Sequence, residues 1–164
     1  MNKKIINKKG FTLIELLAVI SILAIIAVIA TPNIVTLVDN SKKQEFVTDA
    51  ISFTSKAVYK YKFEKYEDLF TVKDNCKIIT LRNTGIEAKT DPDGNNYDLD
   101  NSIIKICEEE NNGIKEKVSY ILLKSTTTET DKRVRGIFDN NSSDKTVKVD
   151  SLGTKDVLDL KDLK

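Results

Sequence analysis

Apolar residues fill one uninterrupted stretch of the chain, residues 11–30 (FTLIELLAVISILAIIAVIA), in which Glu15 is the single charged residue. A helix rises about 1.5 Å per residue, so this stretch predicts a helix about 30 Å long, the hydrocarbon thickness of a bilayer. We therefore expect residues 11–30 to span a membrane. Four lysines precede the stretch: Lys3, Lys4, Lys8 and Lys9. Because lysine-rich flanks stay in the cytoplasm, the chain after residue 30 should face outward.

The helical pattern continues beyond this stretch in amphipathic form. No glycine occurs between Gly10 and Gly85, and Pro32 is the one proline there, so we expect a single long helix to about Phe63 with a bend near Pro32. Apolar residues at intervals of three and four predict a face suited to lie on a sheet. That face consists of Phe46, Ala50, Phe53, Ala57 and Tyr61, with Val47, Ile51 and Val58 beside them.

Alternating patterns and turn residues follow the helix. Strands are predicted over residues 102–107, 117–124, 133–138 and 145–150, with turns over 108–113 and 140–144. Weaker signals indicate a short strand at 76–79, a helical turn at 81–84 and a loop at 126–130. Residues 151–164 fit either an edge strand or a short amphipathic helix. A helix followed by antiparallel strands predicts an α+β domain whose sheet lies on the second half of the helix.

The acid inside the apolar stretch needs an explanation. A carboxylate in a membrane segment costs roughly 2 to 3 kcal/mol even on lenient insertion scales, so it normally serves a partner or a task. One interpretation is that Glu15 lies one turn inside the membrane and reaches back to the headgroups. The residues before it favour another, because Lys8-Lys9-Gly10 runs directly into Phe11-Thr12-Leu13-Ile14-Glu15.

This junction resembles the class III leader of type IV prepilins and the related pseudopilins. In that family a dedicated peptidase cuts after the glycine and the new N-terminal phenylalanine is methylated. The acidic residue lies five places after the cut. The resemblance implies cleavage after Gly10, N-methylation of Phe11 and an assembly role for Glu15. It covers about the first 40 residues. Pro32 also suits it, since such helices commonly bend or melt there.

The resemblance implies a ladle-shaped, type IV pilin-like α+β fold. We expect residues 1–10 to be a cleaved leader, 11–30 the membrane and filament-core helix, 31–65 its amphipathic continuation and 66–164 a globular head with an antiparallel sheet. Cleavage would expose an amine that needs a counter-charge inside an apolar bundle. Glu15 of a neighbouring copy can supply it to Phe11, which favours a filament with a fixed axial stagger.

Two other fates of the apolar stretch compete with this hypothesis. Val28-Ile29-Ala30 before Thr31 resembles an ordinary signal-peptidase site. The apolar run exceeds the usual signal-peptide core of about 7 to 15 residues, and such cleavage leaves Glu15 unexplained. An uncleaved signal anchor is the other alternative.

A turn-forming cluster lies before the predicted strands, Asp91-Pro92-Asp93-Gly94-Asn95-Asn96-Tyr97. Proline fixes one turn dihedral, and Asp-Gly tolerates the left-handed conformation. The cluster also resembles the Asp-Pro-x-Gly-x-x-Tyr stretch that precedes the sheet in many pilins and pseudopilins. Asp91, Asp93 and Asn95 are weak calcium candidates. Gly94 stands fourth from Asp91 rather than sixth, so the EF-hand pattern fails.

Two cysteines, Cys76 and Cys107, fall on the predicted outer side, where oxidation can occur. A disulfide between them would stabilise the domain by roughly 3 to 4 kcal/mol in the chain-entropy model. The alternative is two separately buried thiols. The position of this possible disulfide differs from that of the C-terminal disulfide loop in well-known pilins. We therefore do not transfer to this chain any adhesive role that the loop has in those proteins.

Composition narrows the classes of function. The chain has 26 basic and 25 acidic residues, and without the leader's lysines 22 basic residues remain, a formal charge of −3. This balance argues against a nucleic-acid surface spread over the domain. Residues 56–65 mix lysines with aromatics, which fits single-stranded nucleic-acid binding or, more commonly, a solvated helix end. Histidine is absent and no P-loop or GxSxG occurs, so we expect neither an enzyme nor a cofactor.

The leading functional hypothesis is a structural subunit of a type IV pilus. The resemblance implies a cytoplasmic-membrane protein that becomes part of an extracellular filament of identical copies, with the prepilin peptidase and methyltransferase and a pilus assembly platform as partners. It also implies adhesion, surface motility or biofilm formation. Alternatives are a minor or competence pilin with a binding head, a secretion-system pseudopilin, and a lone membrane-anchored receptor domain.

Overall fold

The computed structural model describes residues 10–87, 90–127 and 133–163. The chain divides into two units, residues 1–39 and 40–164. The predicted leader therefore lies outside the described residues except for Gly10. Thr128–Thr130 of the predicted loop and Lys164 also lie outside them.

A single α-helix, α1 (Leu13–Tyr61, 49 residues), contributes to both units. In the described part of the chain it is the one helix with enough length and apolar residues to cross a membrane. Apolar side chains in the first half of the helix are exposed to solvent; Leu13 is 82% and Ile29 67% exposed. The helix continues unbroken through Pro32, and Thr36 Oγ1 donates to the Pro32 carbonyl (3.1 Å). The bend at Pro32 stays a prediction.

The second unit contains an antiparallel sheet, for which the described residues supply eight strands. They are β1 (Thr71–Lys73), β2 (Cys76–Thr80), β3 (Asn96–Tyr97), β4 (Ile103–Asn111), β5 (Ile114–Thr126), β6 (Arg135–Ile137), β7 (Val147–Lys148) and β8 (Val157–Asp159). Neighbours run in the order β1-β2-β4-β5-β6-β8, and β3 and β7 pair with further parts of β5. Short 3₁₀ helices occupy Glu64–Leu69, Arg82–Thr84, Val149–Ser151, Thr154–Asp156 and Leu160–Asp162.

The core of this unit lies between one face of the sheet and the second half of α1. Ile79, Ile104 and Ile121 stand opposite one another on β2, β4 and β5, so they share a face. The helix residues that pack there are Phe46, Val47, Ala50, Phe53 and Ala57, each at most 3% exposed. They follow the predicted spacing of three and four, but the prediction was wrong for Ile51, which is 45% exposed. The structure therefore confirms the predicted α+β arrangement of a long helix on an antiparallel sheet.

The predicted turn over residues 108–113 is wrong in extent. β4 runs on to Asn111 and β5 begins at Ile114, which leaves Asn112 and Gly113 as the turn, with φ of 52° and 79°. Asn-Gly with two positive φ angles is the preferred two-residue hairpin turn, because its twist matches that of the strands. The polar residues before it are strand residues, stabilised by opposite-charge pairs such as Glu108 with Lys117.

The other predicted strands and the predicted helical turn are present, but several differ in length or type. The strand predicted at 76–79 is β2, and the helical turn before Gly85 is the 3₁₀ helix Arg82–Thr84, which ends in the left-handed conformation at Gly85. The strands predicted over 133–138 and 145–150 shrink to β6 and β7. Residues 151–163 combine edge strand β8 with 3₁₀ turns.

Candidate processing and assembly site at the start of the helix

The predicted cleavage site precedes α1 and is open to solvent. Helix α1 begins at Leu13, so Gly10 and Phe11 lie before it in irregular backbone. Apart from its chain neighbours, no described residue has an atom within 4 Å of where a Cβ on Gly10 would stand, and Phe11 is 88% exposed. An exposed, non-helical segment with a small residue is the kind of backbone that proteases reach. The bond between Gly10 and Phe11 is therefore accessible to a peptidase.

Thr12 and Glu15 form a reciprocal cap at the first turn of α1. The backbone N–H and the hydroxyl of Thr12 both donate to Glu15 Oε2, at 2.8 and 2.9 Å. The Glu15 N–H in turn donates to Thr12 Oγ1 at 3.3 Å. This capping box satisfies donors that a helix start otherwise leaves without partners, and the carboxylate also opposes the positive end of the helix dipole.

Thr12 was not predicted as a site residue. Its signal was present as Thr-x-x-Glu, the spacing of a capping box, just before an apolar run. The structure thus gives Glu15 a local task within its own chain, beside the predicted one between chains.

The cap uses one of the two carboxylate oxygens of Glu15. Both Thr12 donors go to Oε2, and within the described residues no hydrogen bond reaches Oε1. The partner of Glu15 inside one chain is thus Thr12 rather than Phe11. Because a carboxylate offers about four acceptor positions, Glu15 can keep its cap and still accept a donor from another molecule.

The predicted turn cluster is a buried anchor in the second unit. Asp91 Oδ1 accepts the backbone N–H groups of Asp93 (2.9 Å) and Asn95 (2.8 Å), and Gly94 has a φ of 83°. Asp91 and Asn95 are both buried. The aspartate therefore closes the turn on itself, and glycine supplies the left-handed backbone that the turn requires.

Two cations hold the neighbouring carboxylate. Lys42 Nζ lies 3.0 Å from Asp93 Oδ1, and Arg135 Nε, on β6, lies 2.7 Å from Asp93 Oδ2. These cations therefore pair with Asp93, one of the three calcium candidates. Across residues 10–87, 90–127 and 133–163, no group of three or more His, Cys, Asp or Glu side chains is placed to hold a metal.

Tyr97 ends the turn cluster and fixes it against the helix. Its hydroxyl donates to Asp49 Oδ2 at 2.9 Å, and its ring forms T-shaped contacts with the rings of Phe46 and Phe53 at centroid distances of 5.2 Å. Burial, reinforced by the charge of Asp49, raises the pKa of Tyr97 well above its usual range. Tyr97 therefore stays a neutral donor, and the cluster's role in this unit is structural.

Cys76 and Cys107 are joined by a disulfide bond with an S–S distance of 2.05 Å. The two residues stand directly opposite each other on β2 and β4, and both are buried. The bond fastens β2, and with it the β1–β2 hairpin, to the central strand β4.

Residues 56–65 place lysines beside aromatic rings, since Lys56, Tyr59 and Lys60 line one surface cavity. Tyr59 and Phe63 are exposed and contact each other at 4.8 Å between ring centroids. Lys60 Nζ instead donates to the Asn83 carbonyl (2.9 Å), and Tyr61 contacts Phe70 at 6.1 Å between centroids. The segment thus exposes one pair of rings, and single-stranded nucleic-acid binding by it stays a hypothesis.

A comparison with known protein families concerns the segment that contains the predicted cleavage site. Residues 6–31 match the family model described as the prokaryotic N-terminal methylation motif, which is characteristic of type IV pilins and pseudopilins. The match covers Gly10, Phe11, Thr12 and Glu15. No curated protein and no solved structure matches the chain.

Proposed function

We propose that the chain is the structural subunit of a type IV pilus, held in the cytoplasmic membrane by residues 11–30 until it is cut after Gly10 and methylated on Phe11. It then polymerises through the first half of α1. The observation that supports this most is Glu15, whose carboxylate lies in the exposed, otherwise apolar first half of α1. Thr12 caps one of its oxygens, and the other accepts no hydrogen bond from the described residues.

We expect assembly to be driven by the pairing of two charges and by the packing of apolar side chains. Cleavage leaves a cationic amine on Phe11, four residues before an acid that is already fixed in place by its cap. Taken into an apolar bundle, both charges need partners, because an unpaired buried charge costs about 3 to 5 kcal/mol. A neighbouring subunit shifted along the filament axis supplies the partner of each. The exposed apolar side chains of residues 13–38 then pack on identical helices instead of lipid.

This function implies a set of partners and a change of location. The prepilin peptidase and methyltransferase process the junction, an assembly platform extracts the subunit from the membrane, and identical copies form the extracellular filament. Adhesion, surface motility or biofilm formation would follow from the filament. In this role the chain is structural, and it needs neither catalytic residues nor a cofactor.

Substitution of Glu15 separates its two tasks. In Glu15→Gln the side-chain carbonyl can still accept the Thr12 donors, whereas the charge is lost. Glu15→Val loses both cap and charge. We expect both variants to be expressed and cut after Gly10, and both to reduce sheared filament protein about tenfold or more, the scale set by an unpaired buried charge.

Two controls make the result specific. Thr12→Ala removes one donor of the cap and keeps the charge of Glu15, so filaments should persist. Glu116→Gln removes an exposed acid in β5 and should have no effect. Normal filament yield in both Glu15 variants would refute the charge-pair account. Short cell-bound fibres in place of long surface fibres, seen by electron microscopy of the wild-type chain, would instead favour a pseudopilin.

A further inference from the structure

Two overlapping acceptor motifs for N-linked sugar lie in the loop between β6 and β7. They are Asn140-Asn141-Ser142 and Asn141-Ser142-Ser143, each an asparagine followed two positions later by a hydroxyl residue. The chain has eleven other asparagines, and none of them has serine or threonine at that position. The motif therefore occurs in one loop of the chain, and the structure distinguishes its two versions.

In the first motif, the asparagine amide and the serine hydroxyl both make hydrogen bonds within the fold. Asn140 Nδ2, the atom that would receive a sugar, donates to the Asp162 carbonyl at 2.7 Å. The hydroxyl of Ser142 donates to Asp144 Oδ1 at 2.8 Å. A sugar on Asn140 would replace one of the two hydrogens of the nitrogen that makes the first bond, and the hydroxyl that this motif requires is already engaged in the second.

The second motif is open at both of its chemical groups. Asn141 and Ser143 are exposed, and within the described residues neither side chain makes a hydrogen bond. The backbone beneath them is held, since the Asn141 N–H donates to Asp139 Oδ1 (2.9 Å) and the Asp139 N–H donates to the Lys145 carbonyl (3.1 Å). The loop thus presents an amide and the required hydroxyl to solvent without loss of its own contacts.

We propose that Asn141 is an acceptor for an N-linked glycan. Asn141 Nδ2 attacks the anomeric carbon of a sugar carried on a lipid diphosphate; the new C–N bond forms as the bond from that carbon to the diphosphate oxygen breaks. The lipid diphosphate leaves, the amide loses one proton, and no oxidation or reduction occurs. The inference rests on the proposed function in one respect, since the second unit must face outward to meet such a donor.

Mass spectrometry of the full chain from the cells that naturally produce it tests the proposal. Trypsin releases residues 136–145 as one peptide, which contains both motifs. We expect this peptide to carry a mass increase equal to a whole number of sugar residues, located on Asn141 by fragmentation. Asn141→Gln and Ser143→Ala should abolish the increase, whereas Asn140→Gln, Ser142→Ala and Ser143→Thr should retain it.

An unmodified peptide in the wild-type chain would overturn the proposal, as would sugar on Asn140 or on a serine hydroxyl. The intact mass of the same sample reports the N-terminus. A chain that begins at a methylated Phe11 but carries no sugar would reject the glycan alone. A chain that still contains residues 1–10 would reject the proposed pilin function, whatever is found on Asn141.

Discussion

One carboxylate, Asp144, organises the loop that carries the proposed acceptor. Its Oδ1 accepts the hydroxyls of Ser142 (2.8 Å) and Thr146 (2.7 Å), and Lys105 on β4 donates to Oδ2. Burial by itself would raise the pKa of Asp144, but the hydrogen bonds from Lys105, Thr146 and Ser142 outweigh it and hold that pKa well below its ordinary value. The ionised form is therefore the one that the fold favours.

Asp144→Ala should lower the free energy of unfolding by about 1 to 2 kcal/mol at pH 7, the lower part of the range for charged hydrogen bonds, because the side chain is partly exposed. The pKa of this carboxyl is lower folded than unfolded, where it is about 3.9. Its contribution is thus present above about pH 4 and is lost as the pH falls toward the folded value. Urea unfolding of residues 40–164 at several pH values measures this.

The exposed Asp68→Ala serves as the control for loss of a carboxylate and should change little at any pH. A difference between wild type and Asp144→Ala that stays constant into acid would contradict the role given to the ionised side chain.

At the scale of elements, the disulfide is the covalent link between two strands that are distant in sequence. Cys76 and Cys107 are 31 residues apart, and the segment between them contains the turn cluster that Tyr97 anchors to α1. Closing that loop restricts the unfolded chain more than the folded one. The bond therefore stabilises the outer strands β1 and β2, whose remaining attachment to the sheet is the pairing of β2 with β4.

Reduction, or replacement of both cysteines by serine, should lower the free energy of unfolding by about 3 to 4 kcal/mol. Urea unfolding of residues 40–164 with and without reductant tests this, and the double serine variant should not respond to reductant. Equal stability of the oxidised and reduced wild-type fragment would show that the bond contributes nothing.

The helix and its buried face were predictable, because spacing of three and four residues marks Phe46 to Ala57 and no glycine interrupts the pattern. The shortest strands were not predictable from the sequence. β1 exposes all three of its residues and β3 has only two, so neither has an alternating pattern to detect. The extent of β4 was missed because Glu108 and its neighbours are polar, and their pairing across the hairpin depends on the turn at Asn112 and Gly113.

The sequence named the residues of the candidate site apart from Thr12, whereas it did not predict their contacts. Gly10, Phe11 and Glu15 follow from a fixed register at the edge of an apolar run. The hydrogen bonds of Glu15 to Thr12 depend on where the helix begins, and a helix start is set by local backbone geometry as much as by residue type. The ion pairs of Asp93 join parts of the chain that are far apart in sequence, so no local sequence pattern predicts them.

At the scale of the whole molecule, the chain combines an exposed apolar helix with a folded, disulfide-bonded domain. The apolar segment needs either lipid or copies of itself as its surroundings. The proposed cut after Gly10 changes which of the two is favoured, because it adds an amine that the acid of another subunit can neutralise. In the proposed function, processing and assembly are thus coupled through Phe11 and Glu15.

Intact-mass spectrometry of filaments sheared from the cell surface tests this coupling most directly. The account predicts that the filaments contain this chain with residues 1–10 removed and a methyl group on the amine of Phe11. A chain that reaches the outside only as a fragment beginning at Thr31, without the apolar helix, would contradict it.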